Sequence, residues 1–254
     1  MDIDRLSAEQ WSRIEPFVPG GRKGRRGPRS NNRRFVEALV WMARSGGRWR
    51  DLPERYGDYQ TVKRRYYRWI EMGVLESLFE ALAREADLDW VSIDSTSTRA
   101  QPQAAGARRK KGGADAQGLG RSRGGLGTKI HAVVDALGLP VRFVLAPGHR
   151  GDVIYGKQLL HALNPGHVIA DRAYDAEHFH DTILDAGATP VIPPRPERRR
   201  PHRCDWRLYK ERNLIERFFA KLKQFRRVAT RYDKLLANFR GFVIIAAIII
   251  GCDS

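Results

Sequence analysis

Three carboxylates sit where chemistry could use them. Asp94 ends the alternating stretch WVSID, Asp171 ends the apolar run HVIAD, and Glu216 lies within DWRLYKERNLIERFFAKLK at 205–223. In the first stretch Val91 and Ile93 would face one side of a sheet, with Ser92 and Asp94 on the other. An Asp inside an apolar strand costs free energy unless something pairs with it. Asp171 closes its strand at the carboxyl end, where ligands of open α/β sheets gather. Acids with no adjacent His or Cys suit hard, oxygen-seeking cations, Mg²⁺ first, with Mn²⁺ able to substitute. Two such ions would activate an attacking oxygen and stabilise a leaving one in phosphodiester chemistry. Each acid alone also has a plainer reading: a turn cap at DST, a loop start at DRAYD, a solvated helix face around Glu216.

The helix predicted over 205–223 sharpens the last case. Tyr209, Arg212 and Lys223 stand at −7, −4 and +7 from Glu216. At about 100° per residue these offsets place all four on one narrow face. Leu208, Ile215, Phe219 and Leu222 form a separate apolar stripe that must pack on a core. Other chemistries find less support. His178 and His180, two apart on a predicted helix, do not share a face and are set aside as a metal pair. RSRGGLGTK has the glycines and lysine of a phosphate loop at the wrong spacing, so nucleotide hydrolysis is not expected. Cys204 and Cys252 form no C-x-x-C pair, and neither a disulfide framework nor a zinc ribbon is indicated.

Charge points to the partner. The chain carries 46 Lys and Arg against 29 Asp and Glu, a formal charge of +17, which implies a polyanion, most simply nucleic acid. A hydrophobic content of 42% indicates a real core rather than a basic tail. The opening MDIDRLSAEQ is acidic and polar, unlike a signal peptide. The apolar run Phe242–Ile250 is far shorter than the ~20 residues of a membrane span, so it reads as a buried terminal helix and no membrane partner is expected.

The elements that must position these residues fall into two parts. Residues 1–88 read as an all-α domain. Ser7 and Gln10 form a capping box, and Thr61 is a plausible N-cap for the helix YQTVKRRYYRWIEMG. That helix combines Lys63, Arg64, Arg65 and Arg68 with Tyr66, Tyr67 and Trp69. It reads either as the reader of a helix-turn-helix DNA-binding domain or as the solvated face of a plain bundle. Residues 89–254 read as strands and helices in the order three strands, helix, strand, helix, strand, helix. An early hairpin followed by strand–helix alternation predicts an α/β mixed sheet flanked by helices. The basic segment 96–128 is expected to be a mobile loop on nucleic acid.

IDST at Asp94, GGLGTKIHAVVDALGLPVRFVLAPG at 124–148, VIADRAYDA at 168–176 and YKERNLIERFFAKLKQFRRVATRYDK at 209–234 together resemble bacterial DDE transposases. The group is insertion-sequence family five, within the family four/five class. Its Tyr-x2-Arg-x3-Glu-x6-Lys signature falls on Tyr209, Arg212, Glu216 and Lys223. The resemblance implies an RNase H-like fold and a catalytic, metal-binding triad of Asp94, Asp171 and Glu216. It implies DNA contacts by Tyr209, Arg212 and Lys223 near the cut. Further DNA contacts are assigned to Lys63, Arg64, Arg65, Arg68, Arg172 and Lys129. Where relatives continue past an AAIII helix this chain stops at IIIGCDS, a departure that touches packing of the final helix and no catalytic residue.

The function so implied is that of an insertion-sequence transposase, cytoplasmic and nucleoid-associated in a bacterium. It would bind terminal inverted repeats as a dimer or higher oligomer, hydrolyse the transposon ends with two metal ions, and join the 3′-hydroxyls to target DNA. The alternatives are a catalytically silent DNA-binding repressor and an RNase H-like nuclease without strand transfer.

Overall fold

The computed structural model describes residues 5–20, 31–105 and 115–253. Residues 106–114 of the basic segment 96–128 lie outside them. In chain order the helices and strands are α1 (Ala8–Ile14), α2 (Asn32–Ser45), α3 (Tyr59–Glu71), α4 (Val74–Leu82), β1 (Trp90–Ala100), β2 (Gly120–Ser122), β3 (Gly125–Val134), β4 (Pro140–Pro147), α5 (Gly156–Leu160), β5 (His167–Ala170), α6 (Glu177–Asp185), β6 (Thr189–Val191), α7 (Trp206–Tyr209), α8 (Asn213–Lys223), α9 (Arg226–Ala229), β7 (Thr230–Arg231) and α10 (Leu236–Cys252). Among the described residues no helix is long and apolar enough to cross a membrane.

The chain divides into two compact units. One comprises Met1–Arg84, Ala100–Gln117 and Leu222–Ser254; the other comprises Glu85–Arg99 and Gly118–Lys221. The chain first leaves the helical unit after Arg84, four residues before the sequence boundary at 88, and later returns to it. The reason lies in α10. Its residues from Gly241 to Ile250 are all buried, so the helix needs apolar partners on every side. It finds them on α1, α2, α3 and α4. Phe242 packs 4.7 Å from the Tyr66 ring, and Tyr66 donates its hydroxyl hydrogen to Asn238 O at 2.7 Å.

Local signals set the helix ends. The expected capping box at Ser7 and Gln10 is present at the start of α1. Helix α3 is capped by Asp58 rather than Thr61: the Asp58 carboxylate accepts the Thr61 N–H at 2.8 Å and also the Thr61 hydroxyl. A carboxylate one turn earlier satisfies an orphan donor and an extra hydroxyl together, so the helix begins sooner.

The second unit is built on a mixed sheet. Strand β1 pairs antiparallel with β3 and parallel with β5, β5 pairs parallel with β6, and β2 and β4 pair antiparallel with β3. This is the mixed sheet expected from the hairpin followed by strand–helix alternation, and it fits the RNase H-like fold that the resemblance implied. The segment 96–128 departs from the expected mobile loop. Its first residues continue β1 to Ala100, and its last form β2 and the start of β3. Thr96, Ser97 and Thr98 pair with Ile130, Lys129 and Thr128, so the β-branched Thr96 and Thr98, suited to a pleated surface, extend the ladder past Asp94. Val91, Ile93, Val133, Val168, Ala170, Phe179 and Ile183 form the core under α5 and α6.

Candidate active site

Parallel pairing of β1 with β5 brings two of the three acids together. Ile93 stands opposite Ala170 at the end of the β1–β5 ladder, so the next residues, Asp94 within β1 and Asp171 just past the end of β5, lie side by side. Asp94 is held on both oxygens. Oδ1 accepts the Ser95 N–H at 2.7 Å and Oδ2 accepts Arg212 Nη1 at 2.8 Å. Asp171 caps the short 3₁₀ turn Arg172–Tyr174 by accepting the Ala173 N–H at 2.9 Å. Burial pushes the Asp94 carboxyl up to about 6; the Ser95 N–H and Arg212 oppose the shift, and the charges of Asp171 and Asp152 reinforce it.

The third acid comes from the long C-terminal helical stretch. That stretch is not one continuous helix: α7 gives way to a 3₁₀ turn at Lys210–Arg212 before α8 begins. Asp205 caps α7, accepting the Arg207 and Leu208 N–H groups. Ile215, Phe218, Phe219 and Leu222 bury α8, which leaves Glu216 on the open side with its side chain 56% exposed. Arg212 joins the acids. Nη2 donates to Glu216 Oε1 while Nη1 holds Asp94, so one guanidinium bridges two of the three carboxylates. Tyr209 lies over the same group, its ring centroid 6.0 Å from the guanidinium carbon. Asp94, Asp171 and Glu216 are not among the groups of three whose ligand atoms approach within 4.8 Å of one another. The donor set nonetheless fits a divalent ion: all three are hard oxygen ligands, and Arg212 by itself leaves two of their three negative charges unneutralised.

This geometry can be set beside known proteins. Residues 86–250 match the family described as "Transposase DDE domain", and residues 6–79 match "Putative transposase of IS4/5 family". The chain belongs to the DDE transposase family. It is 51% identical over 125 residues to a Brucella ovis protein named "Putative transposase for insertion sequence element IS6501", covering 48% of this chain and 96% of that one. It is 71% identical over 113 residues to "Uncharacterized protein y4sN" of Sinorhizobium fredii, covering 44% and 90%. A Burkholderia cepacia protein, "Putative transposase for insertion sequence element IS402", is 35% identical over 120 residues, covering 42% and 54%. The transposase is thus a metal-dependent enzyme acting on DNA, and its family implies a divalent ion.

The transposase also holds acids that the sequence left unremarked. Asp152 accepts Lys129 Nζ at 2.8 Å and lies 3.8 Å from His131 Nδ1. His131 is fully buried, and burial holds its pKa down at about 4, so the imidazole is neutral. Lys129, expected to touch DNA, also donates to Asp152 and to Arg150 O, the latter at 3.0 Å. Tyr174 is fully buried, and its phenol is raised above the usual range by burial and by Asp152, Asp94 and Asp171. No turn or strand signal marked Asp152 in GHRGDVIYG, because its importance arises from the β3 partner opposite.

A second cluster surrounds Asp175, the last residue of DRAYD. His180, set aside with His178, meets Asp175 at 3.0 Å and stacks on the His202 ring at 4.1 Å. Single ligand atoms of Asp175, His180 and His202 come within 4.8 Å of one another. Arginines already occupy this ground. Asp175 accepts the Arg195 N–H at 2.7 Å and Arg198 at 2.9 and 3.1 Å, and Arg198 also pairs with Glu177 at 2.7 Å. Burial disfavours the Asp175 carboxylate, but these donors outweigh it and lower the pKa. Arg195 reaches back to Arg172 O and Ala173 O, so the cluster braces the turn that Asp171 caps.

The remaining expected DNA contacts divide by exposure. Arg64, Arg68, Arg172 and Lys223 are exposed. Arg65 is half-buried, its guanidinium 4.1 Å from the Phe35 ring and 2.5 Å from Asn32 Oδ1, and Lys63 lies 5.8 Å over Tyr67. Arg34, Arg64, Arg65 and Arg68 line a hollow in the helical unit together with Tyr56 and Trp69.

Proposed function

We propose that Asp94, Asp171 and Glu216 are the carboxylates that hold two divalent ions, Mg²⁺ with Mn²⁺ as substitute, at which the transposase cuts its element's ends. The juxtaposition of Asp94 on β1 and Asp171 just past the end of the parallel strand β5, with Asp94 tied through Arg212 to Glu216, carries this reading. Bound ions would supply activation of the attacking oxygen and stabilisation of the leaving one. The protein's own groups position the reaction. Arg212 and Lys223 offer positive charge to a phosphoryl group, and Tyr209 packs beside Arg212. Water first and then the freed 3′-hydroxyl serve as nucleophiles, so no covalent protein–DNA intermediate is required.

End recognition falls to the helical unit. Arg64 and Arg68, one turn apart on α3, are the exposed cations for the terminal inverted repeats, with Arg172 near the site itself. Lys63, Arg65 and Lys129 add positive charge to these surfaces while packing on Tyr67, packing on Phe35 and pairing with Asp152, respectively. The protein acts in the cytoplasm on double-stranded DNA, as a dimer or larger assembly on paired ends.

Asp94→Ala, Asp171→Ala and Glu216→Ala each test the reading. Each is expected to lower Mg²⁺-dependent cleavage of the element's ends by more than about 100-fold, beyond the cost of an outer-shell loss, while DNA binding persists. Substantial cleavage by one of these variants removes that residue from the set. Cleavage without joining of 3′-ends would leave a nuclease.

A further inference from the structure

Arg212 sits among the candidate metal ligands themselves. It is bonded at once to Asp94 and to Glu216, from different sequence regions, using one Nη on each. Its side chain is 22% exposed, and Asp94 beside it is 18% exposed, so this pair is partly shielded from water. Glu216 is more open, at 56%. The surplus of acids around Arg212 contrasts with the Asp175 cluster, where Arg195 and Arg198 take up the acceptors.

We propose that Arg212 is a stand-in cation, bridging Asp94 and Glu216 until a divalent ion expels it. The inference rests on the carboxylate assignment above. Three negative carboxylates near one another repel, and with no cation among them the acid-bearing segments would be driven apart. One guanidinium between Asp94 and Glu216 relieves part of that repulsion and holds α8 against β1. It cannot stay there once an ion takes the same oxygens, because Asp94 Oδ2 and Glu216 Oε1 are the atoms it uses. Expulsion costs the two ion pairs, so Arg212 weakens divalent-ion binding to the DNA-free protein. The freed guanidinium keeps its charge at the site and is available to a phosphate group. The residue thereby has two successive partners of the same sign, first carboxylates and then phosphate.

The test reads metal affinity, not catalysis. Mn²⁺ binding to the full chain without DNA is measured by calorimetry and by the resonance signal of the free ion. The proteins are wild type, Arg212→Gln, Arg212→Ala, Arg212→Lys, Arg217→Gln, Asp171→Asn and the double variant Asp171→Asn with Arg212→Gln. Arg217, an exposed cation on α8 five residues along the chain, controls for the general field. Arg212→Gln and Arg212→Ala are expected to bind Mn²⁺ about fivefold more tightly than wild type, the scale of a modest ion pair, while Arg217→Gln changes it much less. Arg212→Lys is expected near wild type, and the two Asp171→Asn proteins lose the site. Equal or weaker binding by Arg212→Gln, with loss in Asp171→Asn, overturns the exchange and leaves the carboxylate assignment standing. An equal gain in Arg217→Gln also overturns it, since the field alone would then suffice. Binding that is indifferent to Asp171 overturns the assignment and the exchange together. Thermal unfolding of each variant verifies folding; if the neutral variants do not fold, the guanidinium resonances of Arg212 in the wild-type protein are followed by NMR on saturation with Mg²⁺, where a shift to those of a released side chain supports the exchange and unchanged resonances overturn it.

Discussion

Asp94 shows what a single residue contributes when its surroundings oppose its charge. Its folded pKa of about 6 stands above the ordinary 3.8, so the folded chain favours the protonated acid more than the unfolded chain does. Charge at this position therefore costs stability; the cost is absent at pH values below the unfolded pKa, grows as pH rises to about 6, and is constant beyond. Asp94→Asn removes it. The variant is expected to unfold at least as high as wild type at pH 7.5, with its advantage shrinking towards pH 4.5, while cleavage is lost. Scanning calorimetry of both proteins at the two pH values checks this, and an advantage for wild type at pH 7.5 would contradict it. Asp94 and Asp171 were legible in the sequence because an acid that closes an apolar strand is costly to keep there unless it has a partner or a task. Asp152 and the Asp175 cluster were not, because their meaning depends on Lys129 from β3 and on Arg195 and Arg198 from a loop far along the chain.

At the scale of elements, α10 and α3 depend on one small residue. A Cβ added at Gly241 would lie 2.5 Å from the Tyr66 hydroxyl oxygen and 3.2 Å from Leu75 Cδ1. Alanine is the better helix former by about 1 kcal/mol, but overpacking a buried contact costs roughly 1–3 kcal/mol. The second effect should win here, because Tyr66 is held by its bond to Asn238 O and cannot swing aside. Gly241→Ala is expected to destabilise by about 1–2 kcal/mol. Tyr66→Phe, which removes the obstructing oxygen, should make the added methyl less costly in a double-mutant cycle of urea unfolding. Additive losses would show that the hydroxyl is not the obstacle. The apolar run at Phe242–Ile250 announced a buried helix, but its start at Leu236 did not stand out among polar residues. Likewise the periodicity of 205–223 announced a helix, and the 3₁₀ turn at Lys210–Arg212 that separates α7 from α8 left no mark in the hydrophobic pattern.

For the whole molecule, the decisive fact is that the helical unit is assembled from three stretches of chain. The change in composition near residue 88 was visible; the return of the chain was not, because a buried helix names no partner in its own sequence. The consequence concerns residues 1–88 in isolation. Without α10 they lose the aromatic stack of Phe242 on Tyr66 and Trp49, and the acceptor Asn238 O of the buried Tyr66 hydroxyl. Burying one Phe is worth roughly 1.5–3 kcal/mol, and α10 buries a whole run of such side chains, against total stabilities of only about 5–15 kcal/mol. The fragment 1–88 is therefore expected to be unfolded or molten, to bind a hydrophobic dye, and to show no cooperative thermal transition by circular dichroism. A chain joining 1–84 directly to 222–254 should recover helicity and a transition, since it restores α10 against α2, α3 and α4. If 1–88 alone unfolds cooperatively, the first stretch is a self-sufficient domain and α10 only covers it. If both chains fail while the full protein folds, the third stretch, Ala100–Gln117, is required as well: Arg231, fully buried in this unit, donates to Gln117 O at 2.5 Å.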